Sequence, residues 1–394
     1  MLEFEEKQLN TLENKKILKF DIILFLTVIA LSCFGLLIIY SATRYSLPGG
    51  VTDPAYFLKK QAYWVAAGFI IFWVMQLIDY RKYRNWWVAI FILNLALLGV
   101  VLAFGYEVHG SKSWIDLGFS SFQASEISKV LMVLAVAAVF SRRKSEKENR
   151  VGFKKVMLSV VVALSCIGMV MLQNDLGTAL IFFLTYAGML FISGANLLYF
   201  IGLLGASAGG IAMGVSTGII KEYQLNRILV FIKPDIQTGG VGYNLYQSKL
   251  AIGSGEIWGK GLFLGKQTNL SYVPEHQTDF IFSVIGEEMG FVGGFLVIIA
   301  LGVAVWRCLT VAHHATDHFG RLIASGVAFI LLSQILINIG MTMGIMPIIG
   351  IPLPFLSYGG SNLVSLFIGI ALVENVYMRR ELRKYHQIAY EEFD

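Results

Sequence analysis

"VPEHQTDFIFSVIGEEMG" (Val273–Gly290) sets a carboxylate, Asp279, directly before the apolar run Phe280-Ile281-Phe282, and places Glu287 and Glu288 further along the same run. A charged group at the lip of a hydrophobic segment is ordinary in a soluble protein and costly in a membrane, so the composition around it decides the fold. The chain is 56% hydrophobic and 14% charged, against about 25% charged in an average soluble domain. It reads as an all-α polytopic membrane protein. Cys33, Cys166 and Cys308 each fall in or beside an apolar block. They read as small buried hydrophobes, with no disulfide, redox or zinc chemistry implied. The first twenty residues, "MLEFEEKQLNTLENKKILKF", are acidic and polar, and the apolar run after them lacks a small-residue cleavage site, so the first helix is expected to be retained.

Runs of about 20 mainly apolar residues place ten transmembrane helices near 20–41, 57–78, 86–104, 124–141, 155–173, 176–193, 196–216, 280–306, 321–345 and 357–378. Basic residues concentrate in the connections on one side. Lys15, Lys16 and Lys19 precede the first span, Arg81, Lys82 and Arg84 follow the second, "RRKSEKENRVGFKK" follows the fourth, and Arg379, Arg380, Arg383 and Lys384 follow the tenth. The positive-inside rule makes that side cytoplasmic, with both termini on it. Nine or eleven spans would put "YMRRELRKYHQ" outside and break the pattern. The expected organisation is a cytoplasmic tail at 1–19, a membrane domain at 20–378, and a second cytoplasmic tail at 379–394.

Within the membrane domain a large extracytoplasmic loop, 217–279, is expected between spans seven and eight. It is far longer than an ordinary helix connection, and such loops are usually functional or disordered. Its apolar residues, among them Tyr223, Phe231, Tyr243 and Leu245, give it surface to pack with, and it carries Lys221, Arg227, Lys233, Lys249, Lys260 and Lys266 against the general bias. Function is expected here. Eight glycines from Gly239 to Gly265 accompany these lysines, and glycine lets backbone N–H groups approach an anion closely, which suits a phosphate or pyrophosphate. No Walker-type or dinucleotide pattern points to a nucleotide. No internal repeat supports a transporter of the inverted-repeat kind.

An ionisable residue inside a bilayer costs about 2.5–3.5 kcal/mol, so each needs a partner or a function. Glu126 and Lys129 stand three apart at the start of span four, on one helix face, where they can pair; an interfacial, snorkelling pair fits the same spacing. Asp175 in "QNDLGT" can cap the next helix without excluding a second role. Asp279 can also be read as an N-cap. Glu275, His276, Gln277 and Thr278 crowd before it, however, and Glu287 lies about 12 Å deeper along a helix. A cap needs no such surroundings. Pro347, Pro352 and Pro354 in "GIMPIIGIPLPFLSYGGSN" remove backbone donors and imply a fixed, non-helical approach to span ten.

These residues carry a family resemblance. "GSKSWIDLG" with "FQASEISK", "QNDLGT", "GYNLYQSKLAIGSG", "VPEHQTDFIFSVIGEEMG" and "NIGMTMGIMPIIGIPLPFLSYGGSN" resemble, in order from about residue 110 to 362, the motifs of the SEDS family (shape, elongation, division and sporulation). The proline-rich end is more like the rod-shape branch than the division branch. The resemblance implies a peptidoglycan glycosyltransferase of the bacterial inner membrane that polymerises lipid II on the extracytoplasmic face. Its implied partners are a class B penicillin-binding protein and other membrane proteins of the elongation complex. It places Asp279 at the family's essential aspartate, Glu126 and Lys129 on its paired charges, and Asp175 on the acid of its "PDLGT"-like turn. The sequence departs from the pattern at Asn174 and Ala124, where proline is usual, at Glu256, which interrupts "GSGG", and at Gln277, where histidine is usual. His276 is the neighbour able to take that histidine's place.

The chemistry suits these residues. A carboxylate can take the proton of an attacking sugar hydroxyl, and cations can stabilise a departing pyrophosphate. Asp279 is the expected base. Arg227, Lys249 and Lys260 are the expected pyrophosphate contacts, the Glu126–Lys129 pair the organiser of the cavity beneath, and Asp175, Glu275, Thr278 and Ser357 further substrate contacts. A divalent cation, Mg or Mn, fits the leaving group; no nucleotide, haem or zinc is expected. The competing class is a flippase of lipid-linked wall precursors, and a third is a scaffold for other wall enzymes.

Overall fold

A computed structural model of the chain describes residues 20–45, 51–108, 110–116, 118, 121–141, 151–216, 240–270 and 272–391. The Asp21 side chain accepts the Leu24 N–H and starts helix α1, Ile22–Thr43. After it come α2, Tyr56–Gln76, the short α3, Tyr80–Asn85, and α4, Trp87–Phe104. Next are α5, Ala124–Ser141, α6, Phe153–Leu172, α7, Leu176–Ile192, and α8, Leu197–Ser216. Then follow α9, Val241–Ser254, α10, Lys266–Asn269, α11, Ile281–His314, α12, His318–Met343, and α13, Gly360–Glu391.

Among the described residues seven helices are long and apolar enough to cross a membrane: α1, α4, α5, α6, α11, α12 and α13 up to Arg380. Helix α7 and the Leu197–Gly210 part of α8 are apolar but shorter. Helices α5 and α12 are buried on nearly every side, whereas α4 and α6 keep a wide exposed face. Cys166 and Cys308 are buried as expected; Cys33 instead lies on the exposed side of α1. Apolar tails solvate helices as well as other helices do, so close packing must hold such a bundle together. Gly68 of α2 lies under the Phe367 ring of α13, and Gly188 of α7 under the Phe329 ring of α12, with no room for a Cβ at either.

The expectation of a purely helical chain needs one correction. Strands β1, Tyr106–Val108, β2, Ser111–Asp116, and β3, Ser121–Gln123, form an antiparallel sheet in the order β1-β2-β3. Trp114 pairs with Tyr106 on one side and Gln123 on the other. Gly110 and Gly118, at φ +84° and +82°, lie in the connections between the strands. β1 and β3, of three residues each, are too short to show a period-two pattern, and the six residues of β2, SKSWID, do not alternate apolar with polar, which is why sequence alone misses the sheet.

Hydrogen bonds gather the connections at two ends of the bundle. At one end Lys112 N–H donates to Gln173 O (2.9 Å), Gln123 N–H to Ser361 Oγ (3.0 Å) and Tyr358 N–H to Gln277 O (2.9 Å). At the other, Arg307 donates to both Asp21 carboxylate oxygens, Asp21 N–H to Glu374 Oε1 (2.6 Å), and the Tyr80 hydroxyl to Asp317.

Helix α11 is broken at Gly290 (φ +64°, ψ −160°). Backbone that leaves helical geometry at membrane depth needs other partners, and the chain after α9 supplies them. Lys260 N–H donates to Glu287 O and Gly261 N–H to Glu288 O (3.0 Å each), while Phe291 N–H donates to Glu256 O (2.9 Å) and Val292 N–H to Ile257 O (3.1 Å). A Cβ at Gly255 would run into Gly286 O, and one at Gly259 (φ +81°) into Glu288 O. These two glycines, read from sequence as room for an anion, let one backbone lie against another. Gly259→Ala should therefore destabilise the fold by about 1–3 kcal/mol through overpacking alone, with more from the positive φ. A lowered unfolding midpoint in detergent checks this; an unchanged midpoint would contradict the packing described.

Candidate active site

Asp279 stands on a tight turn. The Glu275 carbonyl accepts the N–H groups of Thr278 (3.2 Å), Asp279 (3.1 Å) and Phe280 (3.2 Å), with Glu275 itself at φ +52°. Helix α11 begins at Ile281 and its N-cap position is Phe280, which makes no side-chain cap. The half-buried Asp279 is thus not the N-cap that sequence allowed.

The turn is clamped by backbone-directed bonds from three elements. Asn338, near the C-terminal end of α12, donates from Nδ2 to Asp279 O (2.8 Å) and to Ile351 O (2.6 Å). Ser357 Oγ donates to Thr278 O (2.5 Å) and accepts the Leu353 N–H (2.8 Å). Gln61 of α2 donates to Ser357 O and accepts the Gly359 N–H (3.2 Å each). The proline-rich chain 344–359 stays non-helical, as its prolines predict, and passes directly beside the carboxylate. A Cβ built on Gly350 (φ +78°) would lie 3.0 Å from Asp279 Oδ2.

Thr278 and Glu275 belong to the turn itself, since Thr278 Oγ1 donates to Glu275 O (3.2 Å) and reaches Glu275 Oε2 at 3.3 Å. Ser357 is buried and committed to backbone. His276 is buried with Nδ1 at Val273 O (2.7 Å) and Nε2 at Ala42 O (2.8 Å). Both its nitrogens are occupied in pinning the turn to the end of α1, so it does not take the place of a histidine at position 277. Tyr358 packs edge-on against Phe57, and burial, with Tyr56 nearby, pushes its hydroxyl up to about 12. It stays protonated at neutral pH and is no rival base.

Glu126 and Lys129 form a 2.8 Å ion pair in the first turns of α5, with side chains 5% and 1% exposed. The pair is interior and does not snorkel. Asp175 caps α7 by accepting Thr178 N–H (3.0 Å), and also accepts Thr178 Oγ1 (2.9 Å) and Gln123 Nε2 (3.0 Å), joining β3 to α7. Lys249 is exposed on α9 beside Gly344, where Ser248 Oγ donates to Thr342 O (2.9 Å) and docks α9 on α12. Lys260 is ion-paired with the fully buried Glu287 (2.7 Å), which also accepts Gln267 N–H, Thr268 N–H and Thr268 Oγ1 at 2.9, 3.1 and 2.8 Å. Glu288 accepts Ser41 Oγ at 2.5 Å. The two intramembrane glutamates are thereby explained as anchors of the 260–268 segment and of α1. Arg227 lies outside the described residues.

Sequence reasoning missed Asn338, Gln61 and Gly350. Asn338 carried a readable signal, because an uncharged amide inside an apolar run needs a partner within the bundle; Gln61 directly follows Lys59 and Lys60 and stands out less. Gly350 carried none, because its importance lies in which chain it faces. Among the described residues no three His, Cys, Asp or Glu side chains stand together as a cation cage.

A family model described as "Cell cycle protein", spanning FtsW, RodA and SpoVE, matches residues 21–382. The chain belongs to the FtsW/RodA/SpoVE family. It is similar over 363 residues, at 36% identity, to the probable peptidoglycan glycosyltransferase FtsW of Trichlorobacter lovleyi, covering 91% of this chain and 93% of that one. Identity is 34% over 366 residues with the peptidoglycan glycosyltransferase MrdB of Escherichia coli K12 (92% and 94% covered). It is 33% over 361 residues with stage V sporulation protein E of Bacillus subtilis (90% and 96%). Among solved structures, a chain of a peptidoglycan synthase complex studied for its coordination of polymerization and crosslinking matches with a TM-score of 0.76 at 27% identity, over 92% of this chain and 99% of that one. The rod shape determining protein RodA of Thermus thermophilus matches with a TM-score of 0.67 at 25% identity, over 92% and 98%. Family membership thus rests on nearly the whole chain and on the fold.

Removing one partner of a buried ion pair strands the other, at a cost of about 3–5 kcal/mol. Lys129→Met should lower the unfolding midpoint strongly, and Glu126→Gln with Lys129→Met should recover most of it. Equal midpoints for the single and double variants would show that the pair does not act as a unit.

Proposed function

We propose that this chain is a peptidoglycan glycosyltransferase that polymerises lipid II into glycan strands on the extracytoplasmic face of the bacterial inner membrane, with Asp279 as general base. The observation that carries the reading is a carboxylate beside Gly350, on a turn fixed by α2, α12 and the 344–359 chain. Relatives named peptidoglycan glycosyltransferases support it.

In the proposed step, a sugar hydroxyl of one lipid-linked strand attacks the anomeric carbon of another. The new glycosidic C–O bond forms as the bond to pyrophosphate breaks, the electron pair leaves with undecaprenyl pyrophosphate, and the hydroxyl proton passes to Asp279. A single base and a single displacement invert the anomeric centre. Lys249 and Arg227 remain the proposed pyrophosphate contacts. Lys260 would contribute through its exposed edge while held by Glu287. Glu126, Lys129 and Asp175 shape the floor, and Glu275, Thr278 and Ser357 shape the turn. Mg or Mn, where used, would be held by the lipid's own pyrophosphate oxygens.

The architecture proposed is ten spans, α1, α2, α4 to α8 and α11 to α13, with both termini cytoplasmic and 217–279 outside; the bias of basic residues supports it. A role in elongation, as in RodA, rests on the proline-rich end of "GIMPIIGIPLPFLSYGG". A class B penicillin-binding protein as transpeptidase partner is supported by the similarity to a chain of a peptidoglycan synthase complex. A flippase reading is less well supported, because Glu126–Lys129, Lys260–Glu287 and Arg307–Asp21 are each closed pairs.

Purified chain, with and without its transpeptidase partner, given labelled lipid II and Mg or Mn, should yield glycan ladders on a gel. Asp279→Asn should reduce their rate by about 10²–10⁴-fold, the usual contribution of a positioned base. Wild-type ladders from that variant would refute the assignment. EDTA should slow polymerisation without lowering the unfolding midpoint, since among the described residues no three His, Cys, Asp or Glu side chains stand together to hold a cation.

A further inference from the structure

Asn338 is fully buried in an apolar helix, five residues before its last residue, Met343. An amide there is retained only where its donors are used, and each of its two bonds goes to a different piece of chain. One reaches the carbonyl of Asp279, the residue that carries the carboxylate. The other reaches the carbonyl of Ile351, next to Gly350, whose open Cβ position lies 3.0 Å from Asp279 Oδ2. Asn338 Oδ1, by contrast, is buried and makes no hydrogen bond. The donors are what this side chain contributes.

We infer that Asn338 is the positioning residue of the Asp279 carboxylate, setting with one amide both the backbone from which the carboxylate projects and the Gly350 wall against which it rests. The inference builds on the reading of Asp279 as base. Gly350 is the second half of the device, since a side chain there would push the carboxylate away. Other fixings of the turn, by Ser357 and His276, act on Thr278 and on residues before it. Asn338 bonds both to the residue bearing the carboxylate and to the chain facing it.

A displacement of about 1 Å at a catalytic group can cost about 10²-fold in rate. Positioning therefore predicts a loss in kcat with little change in KM. Asn338→Leu keeps the volume and removes the donors; it should lower kcat for lipid II polymerisation about 10–100-fold, with KM within about threefold. Asn338→Gln, which keeps an amide, should recover part of the loss. Gly350→Ala should lower kcat in the same way, and it decides the matter alone should Asn338→Leu not fold.

A readout independent of activity is the alkylation of Asp279→Cys by a water-soluble maleimide, in a Cys33→Ser background that removes the exposed native thiol. Adding Asn338→Leu should change that alkylation rate at least about fivefold, as expected for a side chain released from one fixed geometry. Folded Asn338→Leu or Gly350→Ala protein with wild-type kcat, or an unchanged alkylation rate, would overturn the inference. Full activity of Asp279→Asn would instead overturn the base assignment, while the alkylation result would still report on positioning.

Discussion

A peptide group that leaves helical geometry inside a membrane bundle must find a partner within the protein. That constraint is met twice within a few residues here, on either side of the first part of α11. Before it, the Glu275 to Phe280 turn is satisfied by its own carbonyl and by Asn338, Ser357 and Tyr358. After it, the break at Gly290 is satisfied by the 256–261 backbone. The short helix between them, 281–289, is thus held at both ends by chain from elsewhere in the sequence. A carboxylate placed on such a support keeps a defined direction, which a loop exposed to water would not give it.

The charges follow the same economy. Glu287 holds four donors from the 260–268 segment, Glu126 holds Lys129, and Asp175 holds the start of α7 and the end of β3. Each of these acids has a structural partner that accounts for its burial. At Asp279, Asn338 and Ser357 grip the backbone of the turn, which fixes the turn with the carboxylate beside Gly350 of the proline-rich chain. Pre-placed charge of this kind is what acid–base chemistry at a membrane surface requires.

Much of this was legible in the sequence. Apolar runs located the starts of the long helices to within a few residues, although α11 and α13 run well past their expected ends, to His314 and Glu391, and the i,i+3 spacing of Glu126 and Lys129 foretold their bond. The carboxylate at 279 stood out because its neighbours were too polar for a cap. What sequence could not supply was contact between distant segments. Glycines 255 and 259 look identical in sequence to glycines that cradle an anion, and only the facing carbonyls of Gly286 and Glu288 distinguish them. His276 looked like a substitute for a histidine at position 277 until its two nitrogens were seen at carbonyl oxygens. The β1 to β3 sheet was hidden by the brevity of β1 and β3 and by the lack of alternation in β2.

The most direct test of a base at position 279 is geometric. A structure of the Asp279→Asn chain trapped with lipid II should show the residue 279 side chain within hydrogen-bond reach, about 2.6–3.2 Å, of a sugar hydroxyl aimed at an anomeric carbon, with Gly350 still beside it. A bound lipid II whose sugars lie well beyond that reach of residue 279 would contradict the account.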